Sequence, residues 1–253
     1  MSSRPTALDL FCGAGGVSMG LHRAGFDVTG VDFRPQPHYP FRFVQADALR
    51  LPFRLTDFAF VWASPPCQAY IRGGSQYRDG RHPKLIEPIR NMLMAAGVPF
   101  VIENVPGAPL RVDLVLCGTM FGLGIRRHRW FEGSPPLAPW VPATCDHGRR
   151  ITGVYGNAHG RAGAWSDMLP SDAATWSREM GIDWMAPHEL TQAIPPAYSE
   201  FIGKQVLNGW RSSRSVGGAS APPEPFHVKR MKKEPPGGDR AALGWGRKVE
   251  PSD

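Results

Sequence analysis

No stretch of this 253-residue chain carries enough consecutive apolar residues to cross a bilayer, although 42% of it is hydrophobic. The opening MSSRPTALDL has neither the basic start nor the apolar core of a secretory signal. We therefore expect a cytoplasmic protein with no membrane partner. Cysteine is scarce: Cys12, Cys67, Cys117 and Cys145 stand far apart with no Cys-x-x-Cys pair, which suits a reducing compartment rather than a disulfide framework. Also missing are a P-loop Gly-Lys-Ser/Thr, the Gly-x-Gly-x-x-Gly of dinucleotide folds and any internal repeat. Acidic residues are outnumbered, leaving a net charge of +7. That balance fits a polyanionic partner, with nucleic acid the leading candidate, but it speaks to association and not to chemistry.

What is present is a clear alternation. TALDLF leads into a glycine-rich turn and the helix-like GVSMGLHRAG; FDVTGVD, FRFVQAD and DFAFVWA follow, then the helix-like PKLIEPIRNMLMAAG and VPFVIENV. This order predicts an α/β domain with a mostly parallel sheet and helices on both faces. Ligands of such sheets sit beyond the carboxyl ends of the strands, where Phe11 to Gly16, Asp32, Asp47, Pro65 to Gln68 and Glu103 to Asn104 all fall. From about Gly133 to Ala174 the pattern gives way to scattered Pro, Gly and aromatic residues with the basic pair Arg149-Arg150, as in a loop-rich insertion. Regular structure is expected again near Trp176, and PPAYSEFIGKQVLNGW has the spacing of a core-packing helix. We accordingly divide the chain into a core (1–132), an insertion (133–175), a segment returning to the core (176–210) and a disordered basic tail (211–253).

The strand ends carry the chemistry. DLFCGAGG is a strand ending in a turn whose glycines let a ligand approach the backbone, and Asp32, about twenty residues on, is placed to accept from ribose hydroxyls. An adenosine cofactor without a pyrophosphate suits this turn best. Asp47 is placed to meet an adenine amino group, with Phe11 or Phe33 stacking on the ring. Each of these residues also has a plain reading as turn, solvated aspartate or core aromatic, and it is their common edge that favours the joint one. Cys67 follows two prolines in ASPPCQAY. A lone cysteine is ordinarily a small buried hydrophobe, yet Pro65 and Pro66 fix two φ angles and remove two donors, so the thiol is held in one place as a nucleophile. Glu103, ending the next strand, is expected beside it, able to give a proton to a ring nitrogen. Arg127 and Arg129 share a side if RRHRWFE is extended, though an ordinary solvated basic face fits that spacing equally.

Taken together, these motifs resemble the cytosine-C5 DNA methyltransferase family in a compact form. DLFCGAGG looks like its S-adenosylmethionine motif, SPPCQ its Pro-Cys motif, ENV its Glu motif, RRHR its Arg-x-Arg motif, and TQAIPPAYSEFIG its last motif. The resemblance covers most of residues 7 to 210. It implies a Rossmann-like S-adenosylmethionine-dependent methyltransferase fold. Catalysis would fall to Cys67, Glu103, Arg127 and Arg129. Cofactor contacts would come from Phe11, Gly13, Gly15, Gly16, Asp32, Phe33, Asp47, Ala48 and Pro65, and substrate contacts from Pro66, Gln68, Asn104 and Val105. It further implies that Cys67 adds to C6 of a flipped cytosine in double-stranded DNA, in restriction-modification or phage DNA protection, with a cognate restriction endonuclease as a candidate partner and the chain itself a monomer. Methylation of cytosine in tRNA, a silent DNA-binding relative, and transfer of another one-carbon group are the competing readings.

The chain departs from the pattern in two places: Ile125 stands where the family often has Gln, and Thr191-Gln192 replaces Gly-Asn. The insertion is short for a target-recognition domain, so we expect a short or relaxed target sequence, or help from the basic tail. Cys145, His147 and His159 do not follow the spacing of a known zinc module and leave a fourth ligand unnamed, so no metal is expected; Cys12 and Cys117 read as structural.

Overall fold

A computed structural model describes residues 4–71, 82–148, 151–154, 168–169 and 172–215. In chain order the elements are β1 (Thr6–Leu10), α1 (Gly16–Ala24), β2 (Asp27–Asp32), β3 (Arg42–Gln45), β4 (Phe60–Ala63), α2 (Ile86–Ala96), β5 (Phe100–Asn104), β6 (Leu114–Leu116), β7 (Arg129–Ser134), β8 (Ile151–Thr152), β9 (Met168–Leu169), α3 (Ala173–Met180), α4 (Pro187–Leu190) and α5 (Pro196–Ser215). The seven-stranded sheet has the order β3-β2-β1-β4-β5-β7-β6. Strands β1 to β5 are parallel, and β7 runs against both of its neighbours. Because β7 is reversed, its first residues lie beside the last of β5, with Trp130 opposite Asn104. An arginine that opens β7 therefore reaches the edge where the parallel strands finish.

The strands have few polar residues because both faces of the sheet are covered. Alternation sends Ala7, Phe60, Trp62 and Val101 into one core, shared with Val17 and Leu21 of α1 and with Tyr198 and Ile202 of α5. Leu8, Leu10, Val61, Ala63, Phe100 and Ile102 face the other core, against Ile89 and Leu93 of α2. The predicted α/β sheet with helices on both faces is the observed one. Helix α5 lies close on α1 because Gly16 and Gly20 have no side chain: a Cβ at either would strike the backbone carbonyl of Ile194 or Pro196 respectively. A third, smaller core gathers Ile125, Val154, Met180, Ile182 and Leu190 beneath the insertion.

Three boundaries shift. Strand β7 continues to Ser134, and α3 begins at Ala173, so regular elements enter both ends of the expected insertion. Helix α5 runs to Ser215, beyond the expected start of the tail at residue 211. The basic VKRMKK segment, Arg149-Arg150 and His159 lie outside the described residues. Among the described residues no helix is long and apolar enough to cross a membrane.

Candidate active site

The first group of residues begins at the end of β1. Phe11 is half-buried and adopts a left-handed backbone, φ 62°, a conformation rare outside glycine and costly enough to need support from its surroundings. Gly13 (φ 48°) and Gly15 (φ 90°) continue the turn. A Cβ on Gly13 would meet nothing within 4 Å, so this turn opens onto space that a ligand can fill. The turn is tied to the next strand, since the Gly13 N–H donates to Asp32 Oδ2 at 3.1 Å and the Arg34 N–H to Asp32 Oδ1 at 3.0 Å. Each carboxylate oxygen keeps lone-pair capacity for a further donor. Asp47 is exposed at the end of β3, its Oδ1 accepting from the Leu49 N–H at 2.9 Å. Phe33 is also exposed, with the Arg34 guanidinium 5.0 Å above its ring, whereas Ala48 is buried in the α2-side core. A turn flanked by two carboxylates, with open space and aromatic surface beside it, suits the hydroxyls, amine and cationic centre of S-adenosylmethionine better than a polyphosphate.

Residues that the sequence did not single out hold this turn. Trp184 donates from Nε1 to the Ala14 carbonyl at 2.8 Å, bringing the chain after α3 onto the glycine turn. Asp9 is fully buried below it. The Ser18 hydroxyl donates to Asp9 Oδ2 at 2.5 Å and lies 2.6 Å from the Tyr39 hydroxyl. Burial, only partly offset by the Ser18 hydrogen bonds, pushes the Asp9 carboxyl up from 3.8 to about 7.

The second group of residues stands at the ends of β4 and β5. The Pro65-Pro66-Cys67 loop leaves β4, and the buried Asn104 side chain donates to the Pro65 carbonyl at 2.8 Å while its Oδ1 accepts from the Val105 N–H at 3.0 Å. Stiffness from the prolines and a side-chain tether from the neighbouring strand act on one loop. The Tyr70 N–H closes a turn on the Cys67 carbonyl at 2.8 Å. Gln68 Oε1 is buried and has no hydrogen-bond partner among the described residues, an acceptor of the kind a substrate donor would satisfy.

Glu103 is 4% exposed and forms an ion pair with Arg129, Nε to Oε1 3.0 Å, at the start of β7. Arg127 is 5% exposed; it donates to the carbonyls of Val154 at 2.8 Å and Thr191 at 2.7 Å, and its own carbonyl accepts from the Tyr198 hydroxyl at 2.7 Å. The two arginines thus divide their work: Arg129 pairs with the acid, and Arg127 joins the insertion and the last motif to the sheet. Burial raises the Cys67 thiol above its ordinary 9.0, Arg129 and Arg127 pull it down, and Glu103 pushes it up. Burial likewise raises Glu103, opposed by Arg129, by a hydrogen bond with Ser64, and by Arg127. The Arg129 and Arg127 guanidinium groups and the Glu103 carboxyl all act on the charge state of the Cys67 thiol.

The fold is Rossmann-like, of the type shared by S-adenosylmethionine-dependent methyltransferases. Two solved structures share it over most of this chain. One is a prophage-encoded Escherichia coli protein described as a DNA modification methyltransferase, 15% identical, covering 82% of this chain and 99% of the other with a TM-score of 0.58. The second is the Schizosaccharomyces pombe Dnmt2 methyltransferase, 15% identical, covering 81% and 99% with a TM-score of 0.54. In sequence, the chain is 32% identical over 123 residues to the type II methyltransferase M.XorII of Xanthomonas oryzae pv. oryzae. That match takes in 42% of this chain and 29% of the relative, so the chain spans under a third of its length. No family model matches the chain.

Proposed function

We propose that the chain transfers a methyl group from S-adenosylmethionine to C5 of cytosine in DNA. The observation that carries this reading is the meeting of Cys67, on its proline-stiffened loop, with the buried Glu103–Arg129 pair at the end of the adjacent strand. The net charge of +7 and the two relatives described as DNA-modifying or type II methyltransferases favour DNA as the substrate.

The residues divide the chemistry as follows. A cytosine within a stacked duplex is out of reach of a thiol on a sheet edge, so the base is flipped into the site. The Cys67 thiolate, favoured by Arg129, adds to C6 and forms a carbon–sulfur bond. The C5–C6 π pair shifts toward the N3 side as Glu103 gives its proton to N3, leaving an enamine with a nucleophilic C5. S-adenosylmethionine, when bound, supplies an electrophilic methyl group on its sulfonium. After C5 is methylated, a solvent water takes the C5 proton, the C5–H electron pair returns to the C5–C6 bond and expels the Cys67 thiolate, and N3 returns its proton to Glu103. Arg129 stabilises both anionic partners, and Gln68 and Asn104 hold the loop and the base edge. Asp32, Asp47, Phe11 and the Gly13 to Gly16 turn would hold the cofactor.

The test is incubation with S-adenosylmethionine and unmodified duplex DNA or tRNA, digestion to nucleosides, and detection of 5-methylcytosine by mass spectrometry. Product in DNA that vanishes with Cys67→Ala is the expected result. Product confined to tRNA would move the substrate to RNA. Tight DNA binding with no product in either would make the chain a non-catalytic relative.

A further inference from the structure

Four side chains that the methyl-transfer chemistry leaves unused converge on one point. Cys117 follows β6, His128 immediately precedes β7, and Cys145 and His147 lie in the insertion. Their ligand atoms all lie within 4.8 Å of one another, and Cys117 is buried whereas His147 is exposed. Cys145 Sγ is 3.4 Å from His128 Nε2, and Cys117 Sγ is 3.9 Å from His147 Nε2. A tetrahedral zinc ion bound by two thiolates and two imidazoles separates sulfur from nitrogen by about 3.5 Å. The Cys145–His147 contact is shorter, 2.5 Å, so that one edge would open by about 1 Å on loading. Both histidines present the same nitrogen.

The surroundings have the form of an outer shell. The Thr119 hydroxyl lies 3.4 Å from Cys117 Sγ and 3.5 Å from Cys145 Sγ, and it accepts from the Asp146 N–H at 3.2 Å. Arg126 donates to the His147 carbonyl.

The loop buries little of itself. Every residue from 138 to 148 is exposed except Cys145, and Trp140 packs edge-on against Phe201 with ring centroids 4.7 Å apart. Ordering such a segment costs about 1–2 kcal/mol of backbone entropy per residue, with little buried surface to offset it. We propose that Cys117, His128, Cys145 and His147 form a structural zinc site that fastens the start of the insertion to the strand bearing Arg129. Two thiolates with two imidazoles select zinc among common divalent ions, and four protein ligands leave no open position for catalysis. Because His128 stands between Arg127 and Arg129, the ion would fix the backbone from which both arginines project. The proposal does not depend on which nucleic acid the chain modifies, or on whether it modifies any.

Metal analysis of the full chain, purified with its tag removed and without chelator, tests it. We expect about one zinc per chain. Replacement by cobalt(II) should give the visible bands of a tetrahedral ion together with thiolate-to-cobalt charge transfer. Cys145→Ser and His147→Ala alter the loop side of the cluster and leave both cores of the sheet untouched. Each should lose the stoichiometric metal and the charge-transfer band while the near-ultraviolet dichroism of the core persists. A wild-type chain that carries no zinc and takes up no cobalt overturns the proposal, as does undiminished binding in the doubly substituted variant.

Discussion

Replacing Asp9 by Asn should change how stability depends on pH, and the size of the change follows from where Asp9 lies. The carboxyl is fully buried and its pKa rises from 3.8 to about 7, mainly through desolvation, with the nearby Asp32 adding to the rise. A raised carboxyl pKa means that the folded protein holds the proton more tightly than the unfolded chain. The stability this provides is fully present below about 3.8 and is lost as pH climbs through about 7. A difference of about three units at 1.36 kcal/mol each amounts to roughly 4 kcal/mol across that window. Asparagine has the same shape and no proton to lose. Its amide brings a constant offset, because Asp9 Oδ1 has no hydrogen-bond partner among the described residues, but that offset has no slope. Urea unfolding of both proteins at a series of pH values should show the variant gaining on the wild type by about 1.4 kcal/mol per pH unit, then levelling above about pH 7. A gap that stays flat or narrows over this range would refute the account of a carboxyl buried largely uncharged beneath the glycine turn.

Two further outcomes follow from the same geometry. Alkylation of Cys67 by iodoacetamide, followed by mass spectrometry, should be slow at neutral pH and speed up only at alkaline pH, because burial raises the thiol. Arg129→Met should push that midpoint higher and Glu103→Gln should lower it, and an opposite order would show that these charges do not act on the thiol. Gly20→Ala forces a methyl group into the Pro196 carbonyl and the Ser199 hydroxyl, so it should destabilise the fold by about 1–3 kcal/mol in thermal or urea unfolding. A loss within about 0.5 kcal/mol would mean that α5 does not rest so closely on α1.

The parallel half of the sheet was legible because each strand is a short apolar run closed by a turn signal, and because a sheet covered on both faces has no reason to alternate polar with apolar residues. The link between Cys67 and Glu103 was legible for a related reason. Adjacent parallel strands finish at one edge, so ends of consecutive strands predict proximity. Other features depend on contacts that leave no local mark. Nothing near Phe11 announces a left-handed backbone at a bulky residue, and nothing near Trp184 points to the Ala14 carbonyl 170 positions earlier. The Cys117, His128, Cys145 and His147 group escaped for a third reason. Its members come from the end of one strand, the start of another and a distant loop, so no spacing rule covers them. Grouping Cys145 and His147 with His159 leaves a fourth ligand unnamed, and Cys117 reads as any buried small side chain. Asn104, expected to touch substrate, also reaches back with its side chain to the Pro65 carbonyl, a tether between neighbouring loops that neither motif reveals alone.

The close lie of α5 on α1 also determines where the domain begins and ends. The Pro5 carbonyl accepts from the Asp27 N–H at the amino end of the sheet, and Trp210 near the far end of α5 packs on Phe26 beside that same strand. Both ends of the described domain thus contact the neighbouring residues Phe26 and Asp27, away from Cys67, and within residues 4–215 the path of the chain is close to a ring. A chain joined there by a short linker and cut after Ser134 would start with the insertion and finish with β7. It would still bring Cys67, Glu103 and Arg129 to one edge. Which motif comes first along the chain is then a matter of where the ring is opened, and the chemistry depends only on which strands lie side by side.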